Sequence, residues 1–167
     1  MEKVNREAKM KMPRGLRNNN PLNIRITAKQ RQGKDTWFGM SAKQEDSAFC
    51  QFKEMKYGWR AAFMLLTRSY YHMHHLYTPR AVISRWAPPS ENNTEAYIKF
   101  VCEKSGLEPD TYLGVPSSAE GAQWMKLAYA MAMMENGTEN LNVFEMIEGW
   151  ILAREHAQSN GVSTRDR

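Results

Sequence analysis

The segment RWAPPSENNTEAYIKFV, residues 85–101, contains a carboxyl group, that of Glu91, on a conformationally restricted backbone. Glu91 follows two prolines, which restrict the backbone that leads to it from Trp86. A catalytic acid has to be held in place beside its substrate, so this position suits a side chain that donates a proton. The same composition is also typical of a capped helix start, where the helix dipole favours an acid. Both interpretations of Glu91 stay open.

Other polar groups with chemical potential lie near this acid and near a predicted strand. Asn92 and Thr94 follow Glu91 directly and are candidates for hydrogen bonds to a substrate. Glu45 and Asp46 form a second acidic site before the apolar run SAFCQF. This site is expected at the edge of a small sheet.

Amide groups are concentrated in the stretch RGLRNNNPLNIR, residues 14–25. Asparagine tolerates left-handed backbone conformations and bonds to its own backbone, so one interpretation is a turn that positions the first strand. The alternative is that the amides face a groove, where each offers a donor and an acceptor to sugar hydroxyls and N-acetyl groups, and arginines contact carboxylates or phosphates. The candidate substrate-binding residues here are Arg17, Asn18, Asn19, Asn20, Asn23 and Arg25.

The spacing of the histidines and cysteines is not typical of a metal site. His72 and His75 share a helix face, but no His-Glu-x-x-His pattern accompanies them. Cys50 and Cys102 form neither a Cys-x-x-Cys pair nor a disulfide framework. We therefore predict no metal, no cofactor and a reduced compartment.

The overall charge favours anionic partners. The chain of 167 residues carries 23 Lys+Arg against 18 Asp+Glu, which gives +5 and an isoelectric point near 9.2. Nucleic acid, acidic glycans and membrane surfaces all fit such a balance. No apolar run has the length of a signal peptide core or a membrane span. We expect synthesis in the cytoplasm, so action on a cell wall would require delivery in a virion or through a membrane lesion.

The elements that would position these groups are a small sheet and several helices. Short runs rich in β-branched or aromatic residues predict two or three antiparallel strands at 23–26, 35–40 and 47–52. Apolar residues at three- and four-residue spacing predict a long core helix over 55–76. Helices are also expected from Pro79, from Asn93 or Thr94 to Gly106, from a Ser117/Glu120 capping box, and from about Asn142.

The predicted fold class is therefore α+β, mainly α, with a small antiparallel β-sheet near the N-terminus. We divide the chain into a flexible arm (1–12), a single domain (13–157) and a disordered tail (158–167).

The order of motifs resembles a family of phage and prophage peptidoglycan-degrading proteins, the P5-like virion proteins and lytic transglycosylases. The motifs are RGLRNNNPLNIR, WFG, FCQF, YGWRAA and RWAPPSENNTEAYIKFV, and they cover about residues 14–107. The last two helices lie outside this resemblance. A more distant resemblance to glucosaminidases of the lysozyme superfamily implies a lysozyme-like fold, in which a helical body and a short β region flank a cleft.

The resemblance implies cleavage of the glycan β-1,4 bond by a carboxyl general acid, in lytic transglycosylase or muramidase-like chemistry. In lysozyme-like enzymes this acid ends the helix before the sheet; the acids that precede the asparagines here are Glu2 and Glu7, of which Glu7 is the candidate. The role otherwise falls to Glu91 or to Glu45/Asp46, or the site is inactive. Trp37 and Trp86 are candidates for the apolar wall beside the acid or for stacking on sugar faces.

Peptidoglycan glycan strands are thus the predicted partner of the chain. A non-catalytic virion structural or cell-wall-binding protein, with the same groove, is the alternative from another class. Nucleic-acid binding through the basic arm and the Arg/Asn turn ranks behind both.

Overall fold

Seven α-helices and one π-helical segment make up the regular structure of residues 12–159, the range that a computed structural model of the chain describes. The predicted arm and tail fall almost wholly outside this range, although the last helix includes Ser159. The α-helices are α1 (Arg14–Arg17), α2 (Ala28–Arg31), α3 (Met55–Met64), α4 (Pro79–Trp86), α5 (Thr94–Ser105), α6 (Gly121–Asn136) and α7 (Val143–Ser159); the π-helical segment is Leu65–Met73.

The predicted antiparallel sheet is wrong. Within residues 12–159, strand-like pairing is limited to two isolated antiparallel bridges, Arg25 with Phe49 and Met40 with Phe52. A ladder needs consecutive extended residues, but the backbone is left-handed at Asn23 and at Gly39, with φ of 53° and 81°. The fold class of the described chain is accordingly helical, and its amino-terminal part is an irregular segment between α1 and α3.

Side chains make some of the hydrogen bonds in this segment that a ladder would have made, beside a few backbone pairs. The Asn20 amide accepts from the Ile24 N–H and donates to the carbonyls of Ile24 and Cys50. The Asp46 carboxylate accepts from the backbone N–H groups of residues 48 and 49. Short polar side chains compete with secondary structure in this way, so apolar runs that look like strands remain loops.

The long helix predicted over 55–76 begins at Met55 but changes its winding. After α3 the chain continues as the π-helical segment, within which the Thr67 hydroxyl donates to the Phe63 carbonyl at 2.7 Å. Hydrogen bonds in a π-helix join residues five apart. This winding therefore brings Leu65 and Tyr70 to the same side, where both line a cleft.

The next two helices begin at the residues that their sequence indicates. The Thr78 hydroxyl caps α4 by accepting from the Ala81 N–H, and Asn93 caps α5. Gly106 ends α5 with a φ of 77°. The capping box predicted at Ser117 is wrong, because α6 begins only at Gly121.

The core is built mainly where α7 packs on α3. The ring centroids of Phe63 and Trp150 lie 5.0 Å apart in an edge-to-face arrangement, and Trp59 stacks on Phe63. Helix α6 adds the fully buried Trp124 and Met131. The last two helices belong to the same core as the rest, because their buried side chains lie in one cluster with those of α3. Each such buried side chain contributes about 1.5–3 kcal/mol. In the part of the chain described, no helix combines the length and apolar character that crossing a membrane requires.

Candidate functional site

A cleft of about 480 Å³ lies between the irregular amino-terminal segment, the π-helical segment and the end of α6. Its lining includes the aliphatic residues Ile24 and Leu65 together with polar and aromatic groups. Of the residues predicted from sequence to act on or bind a substrate, six line it: Asn23, Arg25, Trp37, Trp86, Glu91 and Asn92.

The cleft also contains a carboxylate that sequence reasoning missed. Glu135 is half-buried near the carboxyl-terminal end of α6. Its Oε1 accepts from the Asn23 side-chain amide at 3.1 Å, and its Oε2 accepts from the Tyr97 hydroxyl at 2.8 Å. A signal was present, because Glu135 is the single acid in the mainly apolar sequence of α6 and lies two residues before the helix-ending Gly137.

The groups that hold Glu135 come from distant parts of the chain. Asn23 has a left-handed backbone with a φ of 53°, and its Oδ1 is buried with no hydrogen-bond donor among the described residues. Tyr97 is buried on α5, and this burial, followed by the nearby charge of Glu135, raises the pKa of the Tyr97 hydroxyl well above its ordinary value. Tyr97 therefore stays protonated and remains hydrogen-bonded to the carboxyl.

Glu91 occupies a different environment on the same cleft. Its side chain is exposed in the turn between α4 and α5, and the described part of the chain supplies no partner to its carboxylate. Asn92 donates to the Pro88 carbonyl at 3.3 Å. Thr94 is buried, and its hydroxyl donates to the Ala87 carbonyl at 2.6 Å, so it stabilises the turn and does not face the cleft.

Aromatic side chains line the same cleft as the two carboxylates. Trp37 and Trp86 are half-buried, so part of each indole is accessible in the cleft. The Tyr70 ring lies 6.0 Å from that of Trp86, in a tilted arrangement. Flat apolar surfaces beside carboxylates can take up the faces of sugar rings.

The three consecutive asparagines do not face the cleft. Asn20 is fully buried, and its amide hydrogen bonds of 2.9–3.0 Å all go to the backbone of Ile24 and Cys50. Asn18 and Asn19 likewise donate to groups of the facing loop, at 2.9 and 3.0 Å. Their predicted role in substrate binding gains no support from this geometry, whereas the interpretation as a structural turn fits it.

Asp46 is a structural carboxylate. Arg14 donates to both of its oxygens, at 2.6 and 2.8 Å, and Asn18 and two backbone N–H groups donate as well. The hydrogen bonds from Arg14 are the largest cause that holds the pKa of the Asp46 carboxyl well below its ordinary value. An acid that is ionised at neutral pH has no proton to donate.

The remaining predicted residues lie away from the cleft or outside the described range. Glu45 is exposed and pairs with Lys43 at 3.0 Å. Arg17 is exposed on α1 and is not part of the cleft lining. Glu7 lies outside the described residues.

Residues 12–159 contain no cluster of metal ligands. No group of three His, Cys, Asp or Glu side chains is placed there to hold an ion. The ring nitrogens of His74 and His75 lie within hydrogen-bond distance of Arg85 and Tyr77.

Comparison with known proteins shows that the chain is similar in sequence to a phage protein. No protein-family model matches it. It is 37% identical over 143 residues to Protein P5 of Pseudoalteromonas phage PM2, and the match covers 82% of this chain and 79% of that protein. A match of this length extends beyond residues 14–107, which carry the motif resemblance.

Proposed function

The chain belongs to the family of Protein P5 of Pseudoalteromonas phage PM2, and from this premise we propose that it cleaves the β-1,4 glycan bonds of bacterial peptidoglycan. The observation that carries the proposal is the position of Glu135. Its carboxyl is half-buried and held by two hydrogen bonds in a cleft that also contains two half-buried tryptophans. A carboxyl beside stacking surfaces is what glycan cleavage needs.

Glu135 is the proposed catalytic residue. In its protonated form it donates to the glycosidic oxygen as the bond from that oxygen to the anomeric carbon breaks. The resulting carboxylate stabilises positive charge at the sugar ring and then takes a proton from the attacking hydroxyl. That hydroxyl belongs to water in a hydrolase and to the sugar's own 6-position in a lytic transglycosylase.

The Tyr97 hydroxyl suits a carboxyl that changes its protonation state. A hydroxyl group can donate to a carboxylate oxygen or accept from a carboxylic acid. Tyr97 lies 2.8 Å from the Glu135 carboxyl, so the pair can stay hydrogen-bonded before and after proton transfer. Asn23 supports the other oxygen of the carboxyl from the irregular segment.

Glu91 is the second carboxyl of the proposed site. It lines the same cleft but is exposed and carries no side-chain partner within the described residues. In a hydrolase such a group would activate water or stabilise the ring charge. In a lytic transglycosylase it would be dispensable, because the 6-hydroxyl is already part of the substrate.

Mass spectrometry of the soluble products released from purified sacculi tests the proposal. We expect Glu135→Gln to lower product release by about 100-fold or more, the range of a lost general acid. Glu103→Gln is the matched control, because Glu103 is exposed on α5 and does not line the cleft. Anhydromuramyl ends identify a transglycosylase, and reducing ends identify a hydrolase. If Glu91→Gln also loses activity, two carboxyls take part.

Three results would contradict this assignment. Full activity of Glu135→Gln would remove its catalytic role. Binding to sacculi without any soluble product would favour the non-catalytic wall-binding protein. Affinity for DNA that falls by about one logarithmic unit per decade of salt for each phosphate contact would favour nucleic-acid binding.

A further inference from the structure

We propose that Arg25 binds a carboxylate of the peptide stem carried by the glycan, so that the cleft selects acidic, peptide-bearing strands over neutral N-acetylglucosamine polymers. This inference rests on the proposed function above. In this inference Arg25 selects which glycan is bound, whereas in the proposed function Glu135 cleaves the bond.

The guanidinium of Arg25 is held at the cleft by its neighbours. Its backbone forms the isolated bridge with Phe49, and the Cys50 N–H donates to the Ile24 carbonyl at 2.9 Å beside it. The guanidinium carbon lies 5.4 Å from the centroid of the Phe49 ring. Contact with an aromatic ring positions a guanidinium without using its N–H donors.

Arg14 and Arg25 share the Phe49 ring but differ in their partners. Arg14 lies 4.6 Å from the ring centroid and donates to both oxygens of Asp46. Arg25 has no hydrogen-bonded or ion-paired carboxylate among the described residues, although Glu91 and Glu135 line the same cleft. Its donors are therefore available to a ligand.

The distribution of charge in the cleft favours a substrate carboxylate at Arg25. Arg25 is the one basic residue in the lining within the described range, and two carboxylates lie elsewhere in that lining. A substrate carboxylate is attracted by the guanidinium and repelled by the exposed carboxylate of Glu91, whereas Glu135 is neutral in its proton-donating form. Arginine binds carboxylates through two parallel hydrogen bonds, which a neutral sugar polymer cannot reproduce.

Isothermal titration calorimetry on the full chain tests this selection without turnover, in the Glu135→Gln background. The probes are muropeptide oligomers with free stem carboxylates, the same oligomers with those carboxylates amidated, and neutral chitin oligomers. We expect Arg25→Gln to weaken binding of the acidic oligomers about tenfold and to leave the other two unchanged, since losing a charge-assisted hydrogen bond costs about 1.5 kcal/mol. Arg25→Lys keeps the charge but not the paired donors, so its loss is expected to be smaller.

Arg17→Gln is the matched control, because Arg17 is exposed in the same stretch of sequence and lies outside the cleft lining. Equal weakening of acidic, amidated and neutral oligomers by Arg25→Gln, or no weakening of any, would overturn the inference. If sacculi release product but Arg25→Gln does not change the preference for acidic oligomers, the inference about Arg25 is wrong and the proposed cleavage stands. If acidic oligomers are bound selectively but the parent chain releases no product from sacculi, the proposed cleavage is wrong and the inference about Arg25 stands.

Discussion

At the scale of single residues, the stretch 14–25 contains polar side chains that stabilise the fold and polar side chains that line the cleft. Asn20 is buried and bonds only to the backbone, while Asn23 reaches Glu135 in the cleft. Arg14 is paired with Asp46, while Arg25 is available for a ligand. The same residue types therefore serve stability at one position and the site at the next.

The Asp46 network predicts a specific dependence of stability on pH. Its pKa is lowered in the folded state from an ordinary value of 3.8, so its contribution is complete above about pH 4 and is lost as the pH falls below that. We expect Asp46→Asn to lower the free energy of unfolding by about 2 kcal/mol at pH 7. The difference from the parent chain should shrink as the pH falls from 4 to 2.

Urea unfolding at a series of pH values measures this difference. Glu45→Gln is the control, because Glu45 is the exposed neighbour of Asp46 and pairs with Lys43 at the surface. We expect this control to change the free energy of unfolding by less than about 0.5 kcal/mol. A deficit of Asp46→Asn that stayed constant from pH 7 to pH 2 would show that its charge is not responsible.

At the scale of elements, a close approach between α3 and α7 depends on Gly149, a residue without a side chain. A Cβ atom at Gly149 would lie 2.3 Å from the Trp59 Cβ and 2.9 Å from the Arg60 backbone nitrogen. Real atoms do not come this close, so α7 would have to move away from α3. Glycine is required here by the distance between two helices and not by its backbone angles.

Gly149→Ala is therefore expected to destabilise the protein, against the usual effect of this substitution in a helix. Alanine favours helix formation by about 1 kcal/mol over glycine, while overpacking of a tight contact costs about 1–3 kcal/mol. Because the overpacking cost exceeds the gain in helix propensity, we expect a net loss of up to about 2 kcal/mol in thermal or urea unfolding. Glu148→Ala, exposed on the same helix, should be nearly neutral; a more stable Gly149→Ala would mean that the helices are not in tight contact.

At the scale of the whole molecule, local signals predicted the elements better than their assembly. Thr78-Pro79 and Asn93 cap α4 and α5 as their sequence indicates. Strand pairing depends on residues far apart, and side chains such as Asn20 make some of the hydrogen bonds of the expected ladder. The sheet was therefore predicted wrongly. The cleft shows the same limit, because Asn23 and Glu135 meet across 112 positions of sequence.

The carboxyl-terminal helices illustrate this dependence on the assembled fold. They carry no motif that pointed to a function, yet α6 supplies Glu135 to the cleft. Helix α7 packs its buried Met146 and Ala153 into the common core and places Trp150 edge-to-face on Phe63. The site is therefore a property of the whole helical body.

A chain that ends at Leu141, before α7, is consequently expected to lose its cooperative unfolding transition and its near-ultraviolet circular dichroism. Removing the helix would expose Trp59 and Phe63 and forfeit several side-chain burials worth about 1.5–3 kcal/mol each, which is comparable to the total stability of a domain, about 5–15 kcal/mol. Phe144→Ala in the full chain is the control, because Phe144 lies on α7 but is 73% exposed. A shortened chain that unfolded cooperatively at the parent's midpoint would show that α7 is dispensable and that the first six helices alone form the stable body.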